Sequence, residues 1–298
     1  MVTHHPVMLG EVISSLNLKP GYRVLDATIG GGGHSIQILK RIQPGGILIG
    51  LDADASAVNI SQEALAGFGG SCIIRHANFR DLDKVVQEAG ISGLDAALFD
   101  IGVSSFQLED ASRGFSLQLD GSLDMRLDTG LPDTARDIVN LLKESDLDDL
   151  IFKYGEERFH RRIARALVEA RKKKPIETTL ELKNIIHNAV DPRYGRSRID
   201  PATRTFQAVR IAVNDELGAL EEGLRKVFGI LVPGGRVCVI SFHSLEDRIV
   251  KNAFRDNARS GTMKILTKKP LRPSYEEVAA NPRSRSARLR AAEKAFIT

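Results

Sequence analysis

Asp26, Asp52, Asn78 and Asp100 each follow closely on an apolar run within the first hundred residues, and the glycines Gly30 to Gly33 follow the first of them. Glycine lets a backbone approach a ligand closely and take positive φ, and a helix that starts there offers free N–H groups. Asp52 lies about twenty residues beyond the glycines, where an acid accepts hydrogen bonds from both hydroxyls of a ribose. Phe79, beside Asn78, can stack on an adenine. Asp100 falls where the reacting group of such a ligand would lie. NAD enzymes also use a glycine turn, but Ser35 stands where their fingerprint wants a third glycine or an alanine. Several converging carboxylates suit the sulfonium and ammonium of S-adenosylmethionine better than a pyrophosphate. On spacing alone, a methyltransferase is favoured over a dehydrogenase.

Strand-like and helix-like segments that alternate from residue 22 to residue 100 must hold these groups in place. Residues 22–26, 46–52, 72–74 and 94–100 read as continuous apolar strands, with a helix after the glycines near 35–42 and another after Asp54, a suitable N-cap. Such strands, separated by helices, predict a parallel sheet covered on both faces. Right-handed crossovers then gather the strand C-termini on one edge, where α/β proteins bind ligands. The pattern breaks after residue 105. Helical periodicity runs from about 134 to 189, with Phe159, Ile163, Leu167 and Ala170 on one face. A long helix is then expected, its stripe running Phe206, Val209, Val213, Leu217, Leu220, Leu224 and Val227. Pro233-Gly234-Gly235 introduces a fifth strand, residues 236–241. The economical arrangement is a helical subdomain inserted into a parallel-sheet domain.

The 298 residues are 42% hydrophobic and 27% charged, the balance of a soluble enzyme. No run approaches the ~20 apolar residues that span a membrane, and the N-terminus lacks the pattern of a secretion signal, so a cytoplasmic protein is expected. Cys72 and Cys238 both lie in apolar strands and supply neither a zinc site nor a disulfide framework; no metal is expected. The net charge of +4 is unevenly placed. Arg158, Arg161, Arg162, Arg165, Arg171, Lys172, Lys173 and Lys174 crowd one stretch; Arg283, Arg285, Arg288 and Arg290 crowd another. Either cluster can neutralise a phosphate backbone or form a solvated helix face.

Longer motifs carry a resemblance. Gly32-Gly33-His34-Ser35, Asp100-Ile101-Gly102-Val103-Ser104-Ser105-Phe106-Gln107-Leu108 and Ser241-Phe242-His243-Ser244-Leu245-Glu246-Asp247-Arg248 resemble the MraW-type family, the ribosomal RNA small subunit methyltransferase H proteins. So do segments 5–11, 113–116, 123–126, 154–158, 201–208 and 281–286, in one order along essentially the whole chain. The departures are Met8, Gly10 and Ile199-Asp200, where relatives commonly have other residues.

The resemblance implies a Rossmann-like class I methyltransferase domain, α/β with a mainly parallel seven-stranded sheet, formed by residues 1–107 and 213–298. An inserted all-helical substrate-recognition subdomain would occupy 108–212. It implies S-adenosylmethionine as cofactor, held by Gly32, Gly33, His34, Asp52, Phe79, Asp100 and Gln107. The expected reaction is N4-methylation of a cytidine in the decoding centre of bacterial small-subunit (16S) ribosomal RNA, taken as naked RNA or within the assembled subunit.

The N4 amine of cytosine is a weak nucleophile, because its lone pair is delocalised into the ring. Acceptors that draw on its hydrogens and align it with the methyl group would help. The Asp100 carboxylate and the Ser104 and Ser105 hydroxyls are candidates. The Asn/Asp-Pro-Pro-aromatic motif of many DNA amino-methyltransferases is missing. His243 either orients the base and removes a proton or ties down the turn after it. Asp124 and Arg126 either line a substrate cleft or pair with each other, and Arg204 and Gln207 either reach RNA or serve helix capping and packing. His5 is expected to act as an N-terminal strap or to lie near the active site.

Overall fold

The computed structural model describes residues 6–190 and 200–296. The chain divides into two compact units, Met1–Gly102 with Leu217–Thr298, and Val103–Glu216. His5, Ile199 and the Ser105 side chain, all named above, lie outside the described residues.

In chain order the first unit begins with α1 (Leu9–Leu16), β1 (Arg23–Asp26), α2 (Gly33–Ile42), β2 (Ile47–Asp52) and α3 (Ala55–Leu65). It continues through β3 (Cys72–His76), α4 (Leu82–Glu88) and β4 (Leu94–Asp100). The second unit carries α5 (Ser105–Glu109), α6 (Ala135–Leu141), α7 (Glu144–Gly155), α8 (His160–Arg171), α9 (Thr179–Ala189) and α10 (Thr203–Asn214). The chain re-enters the first unit through α11 (Glu216–Ile230), then β5 (Leu231–Ser241), α12 (Ser244–Arg259), β6 (Met263–Ile265), α13 (Tyr275–Ala280) and β7 (Arg288–Lys294).

The sheet has seven strands in the order β3-β2-β1-β4-β5-β7-β6, and only β7 runs against the others. Alternate residues along β4 show why its run is apolar throughout. Ala97 and Phe99 pack on one face with Leu82 and Val85 of α4, Leu220 and Leu224 of α11 and Phe254 of α12. Ala96 and Leu98 face the other way, with Val12 of α1 and Ile38 and Leu39 of α2. A strand buried on both faces has no polar alternation to show. The order reverses between β1 and β4, and such a switch point opens a crevice at the strand C-termini. Asp26, Asp52 and Asp100 all end strands on that edge.

The second unit has its own core, which includes Ile163, Ala164 and Leu167 of α8, Leu147 and Ile151 of α7 and Val209 of α10. One expectation needs correction. The apolar stripe from Phe206 to Val227 is carried by two helices, α10 and α11, broken at Asp215 in the left-handed region (φ 46°). The cause is Asn214. Its amide donates to Met125 O and Arg210 O, and its Oδ1 accepts from Leu127 N. Arg210 then closes the corner with a bidentate pair to Glu216 at 2.8 and 2.9 Å.

Candidate active site at the strand C-termini

Gly32 turns the chain from β1 into α2 at φ 80°, a conformation that a side chain would strain. A Cβ on Gly33 would sit 3.4 Å from Pro6, in van der Waals contact, so the N-terminal segment lies against the loop. Asp26 is buried beneath the loop and accepts from Ser35 Oγ at 2.7 Å and from Thr28 N at 3.3 Å. Asp52 binds the loop from β2: its Oδ2 accepts from Gly30 N at 2.9 Å and its Oδ1 from Asp54 N at 2.9 Å. Each oxygen keeps a second lone pair. Asp54 caps α3 through Ser56 N, as its place in the sequence predicts.

His34 opens α2 and is buried. Its Nε2 lies 3.0 Å from Val7 O, which can only accept, so Nε2 carries the proton. The ring's Nδ1 faces Asp100 Oδ2 at 3.7 Å. Burial lowers the His34 pKa from its ordinary value, which favours the neutral ring with a lone pair on Nδ1. Asp100 is anchored through its backbone, whose N–H donates to Thr28 Oγ1 at 2.7 Å. Its Oδ1 is buried with no hydrogen-bond partner. Phe79 lies beyond the end of β3, edge-on to Phe99 with centroids 5.7 Å apart.

Three acids therefore share one edge with few counter-charges. Burial raises Asp26 and Asp52 to about 6. It raises Asp100 to about 7, and the Glu246 charge adds to the effect. A carboxyl whose folded pKa lies above its unfolded value holds its proton longer in the fold. Its contribution is fully present below pH 3.8 and is lost as pH rises through about 7. The wild-type urea midpoint should fall over that window relative to an Asp100→Asn variant, which mimics the neutral acid. Parallel midpoint curves for the two proteins would show that Asp100 is not held protonated by the fold.

His243 resolves toward the turn. It is the N-cap of α12: Nδ1 accepts from Glu246 N at 3.4 Å, while Glu246 Oε2 accepts from Phe242 N and His243 N at 2.8 and 3.2 Å. Nε2 lies 3.0 Å from Glu246 Oε1, and Glu246 is buried. Sequence reasoning passed over Glu246 and Thr28 as site residues and marked Asp26 only as a strand end beside the glycines. For Asp26 the signal was present, since a serine nine positions on opens the next helix. Nothing in the sequence marked Thr28 as a backbone acceptor.

In the second unit, Ser104 and Gln107 form a capping box at the start of α5: Ser104 Oγ accepts from Gln107 N, and Gln107 Oε1 accepts from Ser104 N at 2.8 Å. Asp124 and Arg126 pair with each other in a fork of 2.8 and 2.9 Å. Arg126 also donates to Thr129 O and Leu131 O. Burial works to raise the Asp124 carboxyl, but the Arg126 guanidinium outweighs it and holds the group below its ordinary value. Arg204 donates to Glu156 O and Gln207 to Tyr154 O, both at the C-terminal end of α7, so these two side chains serve helix capping.

Four cations of the basic stretch 158–174 have acidic partners within their own unit. Arg161 and Arg165 lie 3.9 and 3.7 Å from Asp148 and Glu144 of α7, Lys172 pairs with Glu169 and Lys174 with Glu181. Arg171 donates to Val139 O and Leu142 O at the end of α6. Of the C-terminal arginines, Arg288 and Arg290 grip Asp247 and join β7 to α12. Among the described residues no helix is long and apolar enough to cross a membrane.

Residues 1–295 match the model of the MraW methylase family. A Geobacter sulfurreducens protein named ribosomal RNA small subunit methyltransferase H is 50% identical to this chain, covering 98% of it and 99% of its own length. Proteins of the same name from Carboxydothermus hydrogenoformans and Persephonella marina are each 49% identical. The first match covers 98% of both chains, the second 99% of this chain and 100% of the relative.

Proposed function

This chain belongs to the MraW methylase family and is a methyltransferase, and we propose that it methylates the N4 amine of a cytidine in the decoding centre of small-subunit ribosomal RNA, with S-adenosylmethionine as donor. The observation that carries the reading is the edge itself: a glycine turn beside two carboxyls, Asp52 and Asp100, that are costly to ionise until a cation arrives. The donor set fits the proposed cofactor. Asp52 offers lone pairs for ribose hydroxyls, Phe79 a ring for adenine, and Gly32, Gly33 and His34 a close backbone at the start of α2. Gln107 joins them by resemblance to the family.

When bound, S-adenosylmethionine supplies an electrophilic methyl group on a sulfonium. The chain's own residues then have separable tasks. Asp100 accepts a hydrogen bond from the cytosine amine through an oxygen that lacks any other partner, and thereby localises the nitrogen lone pair. The neutral His34 ring holds Val7 in place and leaves Asp100 without a protonated neighbour. Ser104 and Ser105 are further acceptors by resemblance, and His243 acts by fixing the start of α12. Asp124, Arg126, Arg204 and Gln207 support the RNA-facing unit by fixing its loops and helix ends.

Labelled S-adenosylmethionine and undermethylated small subunits, followed by nucleoside mass spectrometry, test the reading. The label should appear as N4-methylcytidine. Label on a ribose oxygen or on C5 would overturn it. Methylation at C5 needs a cysteine thiolate that attacks C6. Burial pushes the Cys72 thiol up to about 11 and raises Cys238, inside β5, still further. Neither forms a thiolate readily at neutral pH. A Cys72→Ala, Cys238→Ala double variant should retain methylation with a modest loss of stability. A folded, cofactor-binding double variant without activity would restore covalent catalysis.

A further inference from the structure

A concentration of uncommitted positive charge in the first unit lies in a stretch with no long basic run. Residues 264–285 carry six basic and two acidic side chains. Lys264, Lys268, Lys269, Arg272, Arg283 and Arg285 are all exposed. Among the described residues, Lys268, Lys269, Arg272 and Arg285 have no ion-pair partner, in contrast with the paired cations of 158–174. Of the two acids, Glu277 is engaged, accepting from Met8 N at 2.6 Å. Tyr275 belongs to the same stretch and has 85% of its surface exposed.

The register places this surface at the ligand edge. β6 runs parallel to β5, so the chain leaves β6 on the side where Asp100 ends β4. Leu271 is bridged to Leu289 by hydrogen bonds of 2.9 and 3.0 Å. Leu289 pairs with Ile240 of β5, and Ile240 with Asp100. Three inter-strand steps put Leu271 roughly 14 Å from Asp100 across the sheet. Through Met8 and Val7 the same segment connects to His34 at the glycine loop.

We propose that residues 264–285 form the docking surface for the single-stranded ribosomal RNA that leads to the target cytidine, with Lys268, Lys269, Arg272 and Arg285 on the phosphates and Tyr275 stacked on a base. The proposal rests on the reading of the substrate as ribosomal RNA. Exposed lysines and arginines around an exposed aromatic ring are the composition of single-strand binding surfaces, in which the cations follow the backbone and the ring takes a base face. The bridge at Leu271 and the flanking Pro270 and Pro273 hold the cations in a defined position, so RNA binding need not order a loose chain.

Fluorescence anisotropy with a labelled single-stranded RNA oligonucleotide of small-subunit sequence tests this across a salt series. A Lys268→Gln, Lys269→Gln, Arg272→Gln variant should lower the salt slope by about 2, three phosphate contacts at ~0.7 each. Tyr275→Ala should weaken binding on the order of fivefold or more with the slope unchanged. Both variants should bind S-adenosylmethionine like wild type by calorimetry. A Lys172→Gln, Lys173→Gln, Lys174→Gln variant should change the slope less than the first one. Should the 268–272 variant not fold, Arg285→Gln repeats the test with one charge. Wild-type slope and affinity in the folded variants would overturn the proposal, as would displacement by polyglutamate as effective as by RNA. If wild type methylates no ribosomal RNA, the substrate reading itself falls. If it methylates small subunits while these variants bind and react normally, only the docking surface falls.

Discussion

Asp100→Asn should cut the single-turnover rate of RNA methylation on the order of 10²- to 10³-fold at saturating cofactor, the range of a lost acid–base or accepting group. The substitution keeps the side-chain shape and the Asp100 N–H bond to Thr28, so the fold should stand. What it removes is a charge at the end of β4, beside an oxygen that has no partner in the protein. A carboxylate accepts a hydrogen bond about twice as strongly as a neutral group, and the cytosine amine needs that acceptor to free its lone pair. Wild-type rates should also climb with pH and level off below about 7, because the accepting form is the ionised one, burial holds the carboxyl near that value without cofactor, and the bound sulfonium lowers it. The asparagine variant should lack this rise. If turnover at saturation survives and only cofactor affinity falls, Asp100 binds and does not act in the reaction.

Asp52→Ala should weaken S-adenosylmethionine binding by about 1.5–3 kcal/mol, the worth of hydrogen bonds to a charged acceptor, or on the order of 10- to 150-fold in Kd. The structure adds a second consequence. The same carboxylate accepts from Gly30 N and Asp54 N, so alanine also releases the glycine turn and the start of α3. Some stability should be lost with the affinity. Asp52→Asn, which keeps one acceptor oxygen, should retain more of both. Titration calorimetry together with urea unfolding separates the two effects. An unchanged Kd in a folded alanine variant would remove Asp52 from the cofactor site.

Much of the first unit was legible because its signals are local. A strand buried on both faces writes a continuous apolar run, and a helix start writes a glycine turn or a capping Asp54, within a few residues of where it acts. Asp26, Asp52 and Asp100 were found at strand ends for the same reason. The stripe from Phe206 to Val227 misled because apolar spacing continues through Asp215, while the break comes from Asn214 reaching Met125 O and Leu127 N, far earlier in the chain. The sequence left His243 open between a proton acceptor and a turn anchor. The structure shows the turn contact, in which Glu246 N donates to His243 Nδ1.

Charge divides most clearly between the two levels. The order of residues alone determined the run of arginines and lysines at 158–174 and the glycine-acid pattern of a nucleotide-type site. Whether a cation is free depends on what faces it, and Asp148, Glu144 and Glu181 reach those cations from neighbouring helices. The sequence marked Arg283 and Arg285 within a C-terminal cluster, but only tertiary structure could join them to Lys268, Lys269 and Arg272, which the Leu271–Leu289 bridge sets at the ligand edge. The same holds for Asp100. Its type and place were written in the chain, but its poise near neutrality comes from burial, and burial depends on elements that the chain brings together from far apart.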